Sequence, residues 1–187
     1  EMFKPLDRAE AKAALGVSGP LIVAVGTLSP RKGQGLVIEA LASLPEVTLV
    51  LVGTGPDRAA YEAQARALGV AGRIRFTGSI GHEEIARWLG AADVMAMPSA
   101  SEGLANVWVE ALACGTPLVI TDVGGAREVV DRPEAGHLVP ADAPAIANAV
   151  GDLLANPRDP AAVRKVAERF TWEANTDALY AHLKSLI

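Results

Sequence analysis

Two glutamates, Glu102 and Glu110, stand eight residues apart in the run Ser101 to Pro117, SEGLANVWVEALACGTP. From Leu104 to Ala113 this run reads as a helix that is apolar on almost every side and is expected to be buried. Its polar members, Asn106 and Glu110, are four apart and share one stripe. A carboxylate there needs a partner, a hydrogen bond or a cleft, because isolated burial is costly. Glu102 precedes the helix N-terminus, whose free N–H groups suit a phosphate. A structural alternative has Glu102 capping its helix and Glu110 paired with an arginine, and the pattern alone supports both equally. The second candidate is GTLSPRKGQG, Gly26 to Gly35, where Arg31 and Lys32 fall just before a helix. Cations at that end do not complement the helix dipole. A bound phosphate accounts for them, and so does a solvated charged turn.

Other chemistries find no support. Gly33 is followed by Gln34 rather than Lys, so no Walker loop is present. Gly53-Thr54-Gly55-Pro56-Asp57-Arg58 starts like a dinucleotide fingerprint but places Arg58 where a third small residue belongs. No serine has the glycine spacing of a nucleophile elbow, and His82-Glu83-Glu84-Ile85-Ala86 is not a zinc helix. His82 reads as a helix start with acids in its first turn. His137 and His182 read as structural or solvated, and Cys114 as a small apolar filler. Trp88 and Trp108 sit at core spacing, and Trp172 and Tyr180 form a packing stripe on the last helix. Asp122 and Glu128, flanking Gly124-Gly125, read equally as caps or as cleft residues.

Six runs are rich in apolar and β-branched residues: Leu21 to Gly26, Val47 to Gly53, Arg73 to Gly78, Asp93 to Ser99, Pro117 to Asp122 and the weaker Gly136 to Pro140. Most are near-continuous rather than alternating, as for strands covered on both faces. Helical stripes lie between them, such as Leu36, Val37, Ala40, Leu41 and Leu44, or Ile146, Val150, Leu153 and Leu154. A short helix from Asp7 to Leu15 comes first, and three helices follow one another from Asp142 to Ile187. This alternation predicts an α/β fold with a doubly wound parallel sheet of about six strands. Ligands then bind at the carboxyl ends of the strands, in the loops opening at Thr27, Thr54, Thr77, Ala100 and Val123.

The chain has 187 residues, 50% hydrophobic and 21% charged, with a net charge of −5. That is ordinary globular composition, which excludes disorder, collagen and coiled coil. The acidic balance and scattered cations speak against nucleic acid and against a polybasic membrane contact. No apolar run approaches the roughly 18 residues of a membrane span, and the N-terminus lacks a signal-peptide stretch. The single Cys114 excludes an intrachain disulfide and a cysteine metal cluster, which fits a cytoplasmic location. Glu1 before Met2 suggests a piece of something longer.

Ser101 to Pro117 resembles the glutamate–seven residues–glutamate signature of the retaining group 1 glycosyltransferases (family 4). VGTLSPRKG (Val25 to Gly33), GTGP (Gly53 to Pro56), FTGSIGHEEI (Phe76 to Ile85), DVMAMPSASEG (Asp93 to Gly103), VITDVGGAREVV (Val119 to Val130) and FTWEANTDALY (Phe170 to Tyr180) resemble its other motifs, in order. The resemblance implies a Rossmann-like half of a GT-B fold: the C-terminal, donor-binding domain at residues 19–187. Residues 1–18 would be an interdomain linker and short helix, with the N-terminal acceptor domain absent. It implies that Glu110 holds the ribose hydroxyls and that Glu102 approaches the transferred sugar. Lys32, with Arg31, meets the diphosphate beside Gly26 and Thr27. Gly103 and the N–H groups of Leu104, Ala105 and Asn106 complete the cradle, and the base rests near Phe76, Gly78 and Ile80. The partner is a nucleotide-diphosphate sugar, with no cofactor and no metal, and the acceptor is unidentified. Thr27 stands where the family usually has Arg, Leu104-Ala105 where Phe-Gly is common, and Arg127 where Pro is frequent. Without its other domain the piece is expected to bind nucleotide weakly and to transfer nothing. A non-catalytic nucleotide-binding or regulatory module on the same fold is the competing reading. A relative of glycogen synthase or of sugar-phosphate synthases would change donor and acceptor but not class.

Overall fold

The apolar runs become six strands: β1 (Leu21–Val25), β2 (Thr48–Val52), β3 (Ile74–Gly78), β4 (Val94–Met97), β5 (Leu118–Thr121) and β6 (Gly136–Val139). In the computed structural model, which describes residues 2–171 together with Thr176, Tyr180, Leu183 and Lys184, they form one parallel sheet. The order is β3-β2-β1-β4-β5-β6, the doubly wound arrangement expected from the alternation of elements. Strands β1, β4 and β5 are buried almost throughout because both faces are covered.

Alternate residues serve opposite layers. Leu21, Val23, Val50, Met95, Leu118 and Ile120 meet Trp88 and Leu89 of α4 (His82–Ala91), Trp108 and Leu112 of α5 (Asn106–Ala113), and Val163 of α8 (Pro160–Ala167). Ile22, Ala24, Leu49, Leu51 and Val119 meet Val37 and Ile38 of α2 (Gln34–Ala40), Tyr61 of α3 (Arg58–Ala67), and Ile146 and Val150 of α7 (Ala143–Ala155). The tryptophans at positions 88 and 108 are core residues, as their spacing suggested. Burial pushes the Cys114 thiol up to about 12, so it stays protonated as a filler. Trp172 and His182 lie outside the described residues, as does most of the segment expected to form a third C-terminal helix.

At the amino ends of the strands, α1 (Arg8–Ala14) starts on an Asp7 side chain that accepts from the Glu10 N–H. Lys12 of this helix donates to Asp93 at 2.5 Å and to the Gly19 carbonyl at 2.9 Å. Asp93 also accepts from the Leu21 N–H at 2.7 Å, so one carboxylate ties α1 to the start of β1. The four-residue α6 (Ala126–Val129) follows β5 and its glycine turn. Among the described residues no helix is long and apolar enough to cross a membrane.

Candidate functional site

Strands β1 and β4 are neighbours, but the chain leaves β1 toward β2 and leaves β4 toward β5. The loops after them therefore part at the point where the strand order reverses, which opens a crevice at the carboxyl edge of the sheet. Lys32 reaches this crevice from the single turn Pro30–Lys32, and Glu102 from the loop before α5. Their side chains meet there, with Lys32 Nζ 2.6 Å from Glu102 Oε1 and only 15% and 9% of their surfaces exposed. Glu102 does not cap α5, whose N-cap residue Ala105 offers no side-chain hydrogen bond. The first of the two structural alternatives for the glutamates is thereby removed.

The two loops are fastened to each other. The Ala100 N–H donates to the Arg31 carbonyl at 2.8 Å. Arg31 Nη1 donates to the Ser101 carbonyl at 2.8 Å and lies 3.8 Å from Glu102 Oε1. Gly33 turns with φ +74° against Pro98, where a Cβ would come within 2.2 Å of the carbonyl oxygen. Only glycine fits that turn. The Lys32 stem lies over Gly26, with Cε 3.6 Å from where a Cβ would stand. Thr27 is exposed, and its carbonyl accepts from the buried Gln34 side chain at 2.9 Å. Gln34, which on sequence served only to exclude a Walker loop, thus braces the first loop from within.

The segment carrying Glu102 also rests on a floor. Gly124, at φ +54°, passes so close that a Cβ would lie 2.1 Å from the Glu102 carbonyl oxygen. The Gly125 N–H donates to the Gly103 carbonyl at 3.0 Å. Held in this way, residues 102–105 stay extended or turned, and α5 begins at Asn106 rather than at the expected Leu104. Leu104 is 41% exposed and Asn106 is exposed, while Val107, Val109 and Glu110 are half-buried. The helix is thus buried on one side only, through Trp108, Ala111 and Leu112. This corrects the expectation of burial all round.

The Glu110 side chain, one turn beyond Asn106, has no hydrogen-bond or ion-pair partner among the described residues, so the structural alternative of an arginine pair finds no partner among them. Burial raises its carboxyl above the ordinary range, and positive charge on His82 works against that rise. His82 opens α4 as expected and is thereby a neighbour of the site that the sequence reading missed. Phe76 and Ile80 flank Gly78 but pack on opposite layers. Phe76 joins the α2–α3–α7 side under the Arg58 guanidinium, 5.5 Å from the ring centre, and Ile80 joins the α4–α5–α8 side. Asp122 does not cap α6; of its two expected roles it takes the second, lining a cleft, where it accepts from Arg127 Nε at 2.9 Å. A cleft of about 640 Å³ adjoins the site at the ends of β4, β5 and β6. Ser99, Asp122, Arg127 and Leu138 line it, and it contains none of Lys32, Glu102 and Glu110.

A paired cation beside an uncapped helix N-terminus and an unpartnered carboxylate is suited to an anionic ligand that carries hydroxyls. The family described as "Glycosyl transferases group 1" matches residues 7–170. A GDP-mannose-dependent alpha-(1-6)-phosphatidylinositol monomannoside mannosyltransferase of Mycolicibacterium smegmatis is 41% identical, over 85% of this chain and 45% of its own. Sucrose-phosphate synthase of Thermosynechococcus elongatus superposes with TM-score 0.80 at 35% identity, over 100% of this chain and 51% of its own. HepE of Anabaena, solved with UDP and glucose, superposes with TM-score 0.86 at 27% identity, over 100% of this chain and 54% of its own. The chain spans about half the length of the curated relatives it matches. With a doubly wound, Rossmann-like sheet and a family match over most of its length, the chain belongs to the group 1 glycosyltransferases.

Proposed function

We propose that this chain is the donor-binding domain of a retaining glycosyltransferase that takes a nucleoside diphosphate sugar, the acceptor-binding half being a separate N-terminal domain. The observation that carries the reading is the Lys32–Glu102 pair across the strand-order reversal, beside the uncapped start of α5. Glu110 binds the ribose diol through both carboxylate oxygens, which suits a half-buried carboxylate without a partner among the described residues. Lys32 and the N–H groups of Leu104, Ala105 and Asn106 hold the diphosphate, with Arg31 in place of the arginine that Thr27 replaces. The base lies along Phe76 to Ile80. As the sugar leaves, negative charge on the diphosphate is met by these donors, which are already in place. Glu102 steadies the positive charge that develops on the sugar. No step in this scheme uses a metal, and the domain alone transfers nothing. The relatives support a nucleotide sugar and differ in base, UDP for HepE and GDP for the mannosyltransferase.

The test is calorimetric titration with UDP, GDP and ADP and their glucose or mannose conjugates, repeated on Glu110→Ala. One diphosphate family binds, and the substitution weakens it about tenfold or more, as expected for a charged bidentate contact. Unchanged binding in Glu110→Ala removes the ribose role. No binding to the folded full-length protein at millimolar ligand removes the donor-site reading.

A further inference from the structure

We infer that Glu102 makes this site discriminate against the free nucleoside diphosphate left after transfer and in favour of the diphosphate sugar; the inference rests on the donor-site reading above. The ammonium that would meet the diphosphate is already held by a carboxylate, 2.6 Å away. A phosphate oxygen accepting from the same Lys32 Nζ at about 2.8 Å lies within roughly 5.5 Å of Glu102 Oε1 while the pair persists. In the diphosphate sugar the terminal phosphoryl group is esterified. In the free diphosphate it carries a further ionisation, with a pKa near 6, and faces Glu102 as a like charge.

Glu102 has little means of retreat. Its side chain is 9% exposed, so solvent screens it poorly. The Gly124 backbone blocks its main chain from below, and the Gly125–Gly103 hydrogen bond holds the next residue. Arg31 grips the Ser101 carbonyl before it. Arg31 itself, 3.8 Å from Oε1 and 56% exposed, offsets only part of the carboxylate's field. A sugar on the phosphate presents hydroxyls that donate to a carboxylate, whereas a bare terminal phosphate offers only negative oxygens. The same side chain therefore attracts the substrate and repels the product, which favours product release. For one additional charge at this separation in a partly screened site, the discrimination is about three- to tenfold in affinity.

Calorimetry on the full-length protein with GDP, GDP-mannose, UDP and UDP-glucose tests this, with Glu102→Gln and Glu102→Asp beside the wild type. Glu102→Gln is expected to tighten the free diphosphate about three- to tenfold and its sugar conjugate by less, shifting the preference toward product, while Glu102→Asp keeps the wild-type preference. The β-methyl ester of the same diphosphate, which lacks both the sugar and the additional charge, is expected to bind wild type more tightly than the free diphosphate does. An unchanged ratio in Glu102→Gln, or a methyl ester that binds no better, overturns the inference while Glu110→Ala still weakens binding. Binding of no nucleotide, or binding that Glu110→Ala leaves intact, overturns the donor-site reading and the inference with it.

Discussion

The sheet carries two lysine–carboxylate pairs of nearly the same length at its two ends: Lys12–Asp93 at 2.5 Å where the strands begin, and Lys32–Glu102 at 2.6 Å where they finish. All four side chains are largely buried, at 16% and 19% exposure in the first pair and 15% and 9% in the second. What separates them is the use of their remaining hydrogen-bonding capacity. Asp93 also accepts the Leu21 N–H and lies near Arg8, while Lys12 also donates to Gly19. The Lys32 ammonium donates to Glu102 and, among the described residues, to nothing else. That leaves two of its three ammonium N–H bonds without a partner among the described residues. A saturated pair holds a fold together. A pair with donors to spare is where the proposed diphosphate would bind.

The contrast is broken most severely at the saturated end. Asp93→Ala strips Lys12 and the Leu21 N–H of their partner at once and is expected to cost about 2–4 kcal/mol of folding stability. Urea unfolding measures it, and a loss below about 1 kcal/mol would show that α1 is held by packing alone. Nucleotide affinity is expected to be unchanged, because the pair lies at the opposite edge of the sheet from the crevice. The lysines sharpen the same contrast with a smaller effect. Lys32→Ala is expected to weaken the bound nucleoside diphosphate about tenfold by loss of a charge-assisted contact, and to lower the melting temperature as well, because it leaves the 9%-exposed Glu102 side chain without its ammonium. Lys12→Ala is expected to lower the melting temperature by several degrees and to spare affinity. Matching effects of the two substitutions would erase the distinction between scaffold and site.

The strands were legible because a sheet covered on both faces demands continuous apolar runs, and Leu21–Val25 or Leu118–Thr121 allow no other reading. Trp88 and Trp108 declared themselves as core by spacing. What stayed hidden depended on contacts across the chain. Lys32 and Glu102 are 70 residues apart, and only the adjacency of β1 and β4 brings them together. His137 showed no acidic partner in its neighbourhood of sequence, yet its Nε2 lies 2.8 Å from Asp152, which Asn156 and Arg158 also contact. The start of α5 was misplaced because Leu104 continues the apolar period, whereas the Gly124-Gly125 turn that holds residues 102–103 out of the helix lies twenty residues further on. Periodicity reports burial within one element. It is silent on which loops share an edge.

The smallest effect concerns Glu110, a half-buried carboxylate without a partner among the described residues. Its carboxyl is raised above its ordinary 4.5, chiefly by burial, and His82 holds the rise down. Between the unfolded and the folded value the native state binds more protons than the unfolded chain, so stability falls as pH rises through that window. Glu110→Gln, with no charge to desolvate, is expected to lack this fall and to be slightly more stable than wild type at neutral pH. Urea midpoints of both proteins from pH 4 to pH 8 would display it as a gap opening upward from about pH 4.5 and then levelling. Curves that stay parallel throughout would mean that Glu110 is solvated in the empty protein, and its desolvation would then be a cost met when nucleotide binds. A gap that closes when the nucleoside diphosphate is added in excess would place the ribose on this carboxylate, because a ligand that donates hydrogen bonds to the charged form returns its pKa toward the ordinary value.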